Sequence, residues 1–309
     1  MSDHAIEVRR LRKSYGGIER LHGVSFSVGY GEVFGFLGTN GAGKTTTIEI
    51  LEGYRARDGG EVSVLGADPA RAGRDWRNRI GLVLQESELN PVYTVRETVA
   101  MFARYFRQPT DLEATIASAG LADKAGERVG RLSGGERRRV DVAIGLVGDP
   151  EVLFLDEPTT GLDPAARRGM WALIEGLRRA GKTVFLTTHY MEEAQRLADR
   201  IVILQAGAIA AQGTAEELSR ALGHATRISF LAPQTGPAQV SEAVGTPVEQ
   251  DGRWLGFRSD HAQRDLTALL GWAAEHGVEL ADIRVSPPTL DDVFVQLAVP
   301  VGEAQDDGS

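Results

Sequence analysis

The chain has 309 residues, a formal charge of −9 and no cysteine, which excludes disulfides and thiolate metal sites and leaves no general electrostatic reason to bind nucleic acid. Hydrophobic residues at 42% and charged residues at 25% are those of an ordinary globular protein, long enough for one large core or two domains. The acidity is uneven, with 6 basic against 13 acidic residues from Arg220 to Ser309, so the part before it is close to neutral. Residues 1–10 hold no apolar run, and no signal peptide is expected. Residues 6–9 read as a short strand and residues 21–28 alternate apolar and polar, so both are predicted as half-buried antiparallel strands. Residues 33–37 are mostly apolar and run into a glycine loop, as a buried strand does; a helix is predicted over 43–52 and a strand over 61–65.

Residues 80–84 are a further short strand. Thr94 caps the next helix, and Glu97 three residues on completes a capping box. A second helix spans 111–119 and stops at Gly120. From residue 152 onward the rhythm is strand (152–155), helix (164–179), strand (183–186), helix (191–198), strand (201–204). Strands without alternation, separated by helices, predict a parallel sheet covered on both faces. No stretch reaches about 18 clean apolar residues, so no membrane span is expected. Near residue 222 the texture changes. Strands at 226–231, 254–258 and 278–285, with helices at 262–276 and 290–297, predict a small α+β domain.

The first chemical signal is Gly38-Thr39-Asn40-Gly41-Ala42-Gly43-Lys44-Thr45, which matches the phosphate-loop pattern G-x-x-x-x-G-K-[ST] between a strand and a helix. Glycines 38, 41 and 43 let backbone N–H groups curl round a β-phosphate, and the helix start, with Thr46 in its first turn, adds positive partial charge. Lys44 is assigned to the β- and γ-phosphates and the Thr45 hydroxyl to Mg²⁺. The second signal is the apolar run 152–155 ending in Asp156-Glu157. Paired acids at the end of a buried strand are costly unless a cation or water waits there. Asp156 is assigned to Mg²⁺, and Glu157 to the attacking water as general base or positioner.

The third signal is Leu132-Ser133-Gly134-Gly135-Glu136. Ser133 is placed to cap the helix that follows, Glu136 to complete a capping box, and the two glycines leave the first N–H groups bare for an anion. With the phosphate loop and the acidic strand, this run closely resembles the signature of ATP-binding cassette (ABC) proteins. The resemblance implies a homodimer stacked head to tail around two ATP molecules, the signature of each subunit covering the γ-phosphate held by the other. Further matches fall in order over residues 5–220. Tyr15 resembles the aromatic that stacks on adenine, although alone it reads equally as a strand-end tyrosine. Gln85 resembles the residue that touches Mg²⁺ or the attacking water. Asp163, in Gly161-Leu162-Asp163, resembles the loop through which each subunit senses its partner's site. His189 resembles the switch histidine beside the γ-phosphate. Glu136 departs from the family pattern, where glutamine is usual. A helix start favours the carboxylate but a phosphate repels it, so a modest effect on affinity or turnover is expected.

The resemblance implies an α/β P-loop NTPase fold over residues 1–222. It would hold a parallel core sheet, an antiparallel β subdomain and a helical subdomain at about 90–148, followed by an accessory α+β domain at 223–300 and a disordered tail at 301–309. Residues 159–163 and 188–194 resemble the cassettes of ABC-2-type exporters, including the daunorubicin-resistance kind. Residues 287–294 resemble the ending of the exporters' accessory domain and also read as a plain capped amphipathic helix. The implied partner is a separate integral-membrane ABC-2-type permease contacting Gln85 to Thr98, with this chain peripheral on the cytoplasmic face of the cell membrane. The alternative is a soluble ATP-driven clamp with no permease. The transported molecule is not legible, because the membrane chain selects it.

Overall fold

The computed structural model describes residues 4–85, 87–221, 226–232 and 235–286. These form two compact units that divide between Ala215 and Glu216. The expected boundary at 222/223, the helix at 290–297, the motif at 287–294 and the tail at 301–309 lie outside the described residues.

The first unit opens with β1 (His4–Tyr15) and β2 (Ile18–Gly29), joined at Gly16-Gly17. Then come β3 (Val33–Gly38), α1 (Lys44–Leu51), β4 (Gly59–Val64), α2 (Arg74–Arg77) and β5 (Ile80–Val83). The helical stretch holds α3 (Val95–Ala103), α4 (Leu112–Ser118) and α5 (Gly134–Leu146). The unit continues with β6 (Val152–Asp156), α6 (Pro164–Arg179), β7 (Thr183–Thr188), α7 (Met191–Leu197), β8 (Arg200–Gln205) and β9 (Ala208–Gly213), and α8 (Ala215–Ala221) starts at the division.

A six-stranded sheet runs β5-β6-β7-β3-β8-β9, parallel except for β9, and a three-stranded antiparallel sheet runs β2-β1-β4. Strands β3, β6 and β7 are buried along their whole length. Their side chains alternate between two cores. Phe34, Phe36, Phe154 and Phe185 face one way and pack with Phe26 beneath the antiparallel sheet. Val33, Leu153, Leu155, Val184 and Leu186 face the other way and meet Val99, Val140, Trp171 and Ile174 from the helices. The absence of polar alternation in the sequence is therefore the mark of a sheet covered on both sides.

Strands β1 and β2 are each 12 residues, longer than predicted. Register shifts and the left-handed Arg10 (φ 48°) interrupt the alternation, which hides the strand's true length. The sequence reading also missed α2, a single turn whose Trp76 is buried and donates to the Val64 carbonyl at 2.8 Å, and β9, an edge strand of small residues.

The second unit contains β10 (Thr226–Leu231), α9 (Pro237–Val244), β11 (Glu249–Asp251), β12 (Trp254–Ser259), α10 (Ala262–His276) and β13 (Ala281–Ser286). Its antiparallel sheet runs β11-β12-β10-β13, and Ile228, Phe230, Leu255 and Phe257 pack with Val240 of α9 and Leu269 of α10. This is the α+β layering expected, with α9 and β11 unforeseen.

Candidate active site

Adjacent parallel strands bring their carboxyl ends to one edge. Asp156 pairs with Thr187, and Leu37 with Thr188. The phosphate loop after β3, the acids ending β6 and the histidine after β7 therefore converge, as loops at the carboxyl ends of parallel strands do. Residues 156 and 44 are far apart in sequence, and only the strand order makes them neighbours.

Gly43 caps α1 with φ 110°, a backbone state a side chain resists, and a Cβ there would lie 2.6 Å from Leu21 Cδ2. A Cβ at Gly38 would lie 2.6 Å from the Leu204 carbonyl oxygen. Packing against β8 thus requires glycine at 38 independently of any phosphate. Thr39, Asn40 and Gly41 are exposed, Ala42 is buried and Thr46 is half-buried. Lys44 is 4% exposed, and its Nζ donates to the Gly38 carbonyl at 2.9 Å and the Thr39 carbonyl at 3.2 Å.

The same Nζ lies 3.1 Å from Oε1 of Glu157, which is 8% exposed. The other carboxylate oxygen, Oε2, accepts from Thr160 Oγ1 at 3.0 Å and lies 3.2 Å from His189 Nδ1. Burial by itself raises the Glu157 carboxyl, but the Lys44 ammonium and the Thr160 hydroxyl outweigh it and hold the group below the usual range. Glu157 is left-handed (φ 45°), at a cost of roughly 1–2 kcal/mol. Its N–H is held by the Thr187 carbonyl at 3.2 Å and Thr187 Oγ1 at 3.1 Å, which offsets that cost and turns the side chain towards Lys44. Asp156 accepts a short hydrogen bond from the same hydroxyl, and burial pushes its carboxyl up, with the Glu157 charge adding to the shift. Thr187 and Thr160 are members of this site that sequence reading missed.

Thr45, Gln85 and Asp156 line one cavity of about 950 Å³. Arg138 secures its edge. Its guanidinium donates to the Asp156 carbonyl at 2.8 Å, the Pro158 carbonyl at 3.1 Å and, in a short bond, the Leu84 carbonyl. Ser87 Oγ donates to Asp141 at 2.6 Å, a second tie between α5 and the segment after Gln85. Three consecutive arginines, 137–139, look alike in sequence, and only the buried one stitches α5 to the ends of β5 and β6.

Tyr15 presents a partly exposed ring with the Arg55 guanidinium at 5.3 Å and Lys13 Nζ at 5.4 Å from its centroid. Leu132 is buried. Ser133 caps α5 by accepting from Glu136 N at 3.2 Å, and its own N–H donates to Glu136 Oε2 at 2.8 Å. Gly135 packs on α6, where a Cβ would lie 2.6 Å from that of Ala166. Asp163 caps α6 by accepting from Ala165 N and Ala166 N, both at 2.9 Å. Among the described residues, no hydrogen bond or ion pair joins 132–136 to 38–46.

Residues 21–160 match the ABC transporter family, and residues 226–289 match the family described as ABC transporter domain-containing protein-like, C-terminal domain. The chain is 38% identical over 306 residues to daunorubicin resistance ATP-binding protein DrrA3 of Streptomyces coeruleorubidus, covering 96% of each. It is 48% identical over 306 residues to Nod factor export ATP-binding protein I of Rhizobium meliloti, covering 95% of this chain and 88% of that one. The chain belongs to the ABC transporter ATPases. Its cassette is similar to cbiO1 of Clostridium perfringens, part of the ABC transporter complex cbiONQ (27% identity, TM-score 0.64, 72% of this chain and 95% of that one). It is also similar to a dimeric ATP-binding cassette in a post-hydrolysis state with ADP and Pi (26% identity, TM-score 0.60, 68% and 98%).

In this ABC cassette the departure at Glu136 has a local account. The carboxylate folds back onto the Ser133 N–H and lies 3.5 Å from Lys124, and those contacts, the backbone bond foremost, hold it below its usual range. Glutamine keeps the capping bond without the charge. Removing the cap by Ser133→Ala is expected to cost about 1 kcal/mol in urea unfolding. An unchanged midpoint would mean that α5 is held by tertiary contacts alone.

The cavity also contains Glu52, 8% exposed at the C-terminal end of α1. Burial, with Asp156 and Glu49 nearby, pushes its carboxyl up to about 8. The folded chain then keeps a proton that the unfolded chain has lost, so stability is greatest in acid and declines as pH rises from about 4.5 towards 8. Glu52→Gln is expected to match the parent near pH ~4 and to exceed it near pH ~9. Parallel stability curves across that range would contradict the assignment.

Proposed function

We propose that this chain is the ATP-hydrolysing subunit of an exporter, working as a homodimer with a separate ABC-2-type permease at the cytoplasmic face of the cell membrane. The carrying observation is the similarity to two export and resistance ATP-binding proteins, which runs through both units rather than the cassette alone. Among the described residues no helix is long and apolar enough to cross a membrane, so the translocation path is assigned to the partner.

In this reading Lys44 and the N–H groups of residues 38–46 hold the ATP phosphates, and the ring of Tyr15 stacks on the base. The donor set suits Mg²⁺: one carboxylate (Asp156), one hydroxyl (Thr45) and one amide (Gln85) line a common cavity, the sparse oxygen set Mg²⁺ uses when phosphates and waters complete its shell. Mg²⁺ held by these residues would neutralise charge on the phosphates. Glu157, ionised and oriented by Thr160 and His189, takes the proton of the attacking water. A phosphate oxygen competes with Glu157 for Lys44, which frees the carboxylate as nucleotide arrives. Residues 132–136 meet the ATP of the partner subunit, and Asp163 reports on that site.

The permease contacts the segment from Gln85 to Thr98, where Val92 and Tyr93 are exposed. Replacing the exposed Val92 and Tyr93 by glutamate is expected to abolish transport by the assembled exporter while ATPase of the isolated subunit stays within about two-fold. Transport that survives the replacement would remove this contact.

A further inference from the structure

The cavity beside the phosphate loop is bounded by α1, β5, α3 and α5. Leu82, Leu84, Phe102, Tyr105, Phe106 and Ile144 give it an apolar wall. Leu84 and Tyr105, which both line it, are 52% and 67% exposed, and large side chains left this uncovered at one cavity mark a surface made for contact. Glu52 lines the same cavity.

Its neighbours have their own partners. Glu49 forms a short ion pair with Arg55, and Asp156 accepts from Thr187. Glu52 is more than nine-tenths buried, yet among the described residues its side chain has neither hydrogen bond nor ion pair, and Arg77 on the same cavity makes none with it. Its oxygens are not among the enclosed polar atoms without a partner, so the carboxyl opens into the cavity, where burial disfavours its charge and a group entering from outside can reach it. It also stands at the C-terminal end of α1, where the helix carbonyls add negative partial charge and no basic residue fills the last turn. The negative helix end and the missing partner favour a cation from outside the chain at this carboxyl.

We infer that the permease segment entering this groove presents an apolar helical face carrying one lysine or arginine that ion-pairs with Glu52. This rests on the exporter reading above and specifies the chemistry of its docking site. The pair forms at one end of α1 and the phosphate loop lies at the other, about 12 Å away along eight residues. One rigid helix thus joins the partner's charge to the residues that hold the nucleotide.

The test uses the full chain and short stapled helical peptides with leucine and phenylalanine along one face. One central position is lysine, norleucine or glutamate. In fluorescence titrations the parent chain is expected to bind the lysine peptide about ten-fold more tightly than the norleucine peptide, and the glutamate peptide most weakly. In Glu52→Gln, a substitution of equal shape, the lysine preference should fall to within about two-fold while norleucine binding is kept. Leu84→Glu should abolish norleucine binding, which places the peptide in the groove. A lysine preference that survives Glu52→Gln, equal binding of all peptides by the parent, no peptide binding, or norleucine binding unaffected by Leu84→Glu each overturns the inference. ATP hydrolysis by the parent chain is measured in the same preparation. Its absence would end the exporter reading itself, whereas active enzyme without a charge preference removes only the pairing at Glu52.

Discussion

Glu157→Gln is expected to lower ATP turnover by at least about 10²-fold while ATP binding is preserved. Glutamine has the shape of the parent side chain and keeps an oxygen for the Thr160 hydroxyl, which now lies 3.0 Å from Glu157 Oε2. What it loses is the basicity needed to take a proton from water. It also releases Lys44, whose Nζ is 3.1 Å from Glu157 Oε1, for undivided contact with phosphate. Nucleotide affinity should therefore hold or rise. With hydrolysis blocked, ATP and Mg²⁺ should accumulate a dimer, read by light scattering, and phosphate release should be near background. Turnover within about two-fold of the parent would remove Glu157 from the chemistry, and a chain that stays monomeric would remove the clamp.

Lys44→Ala is expected to weaken ATP binding by about 10²-fold, as loss of a charge-assisted contact to phosphate does. The structure adds a second consequence. Lys44 and Glu157 are both nearly buried, so deleting the cation leaves an anion without its partner, at a cost of about 3–5 kcal/mol when no other group compensates. Thr160 and His189 remain to share that charge, so the measured loss should fall towards the lower end. Adding Glu157→Gln to Lys44→Ala should then restore much of the stability but none of the affinity. Titration with a fluorescent ATP analogue separates the two effects. Unchanged affinity in Lys44→Ala would refute the role of the lysine, and an unrestored double variant would refute the account of the buried pair.

Features resting on contacts within a few residues were legible without coordinates. Both capping boxes, Thr94 with Glu97 and Ser133 with Glu136, form as read, because each joins positions three apart at a helix start. The helix at Pro164–Arg179 also stands where its proline and following glycine place it, and the sequence alone identified Asp163 beside it without revealing that it is the cap. The phosphate loop is legible for the same reason, since its strand, glycines, lysine and helix are contiguous.

What the sequence determined by itself, then, is the set of local devices: a loop that offers N–H groups and an ammonium to an anion, two acids at the end of an apolar strand, and a second helix start bare enough for another anion. Tertiary structure decided which of these meet. Strand order brings Glu157 against Lys44 and His189, Thr187 fixes the left-handed turn that aims it, and burial singles out Arg138 from its two neighbours. Glu52 acquires its meaning only when β5, α3 and α5 close a groove over it. The physical reason is range: capping and turn chemistry act through adjacent backbone groups, whereas the ionisation and reach of a buried charge depend on residues that only the folded sheet makes neighbours.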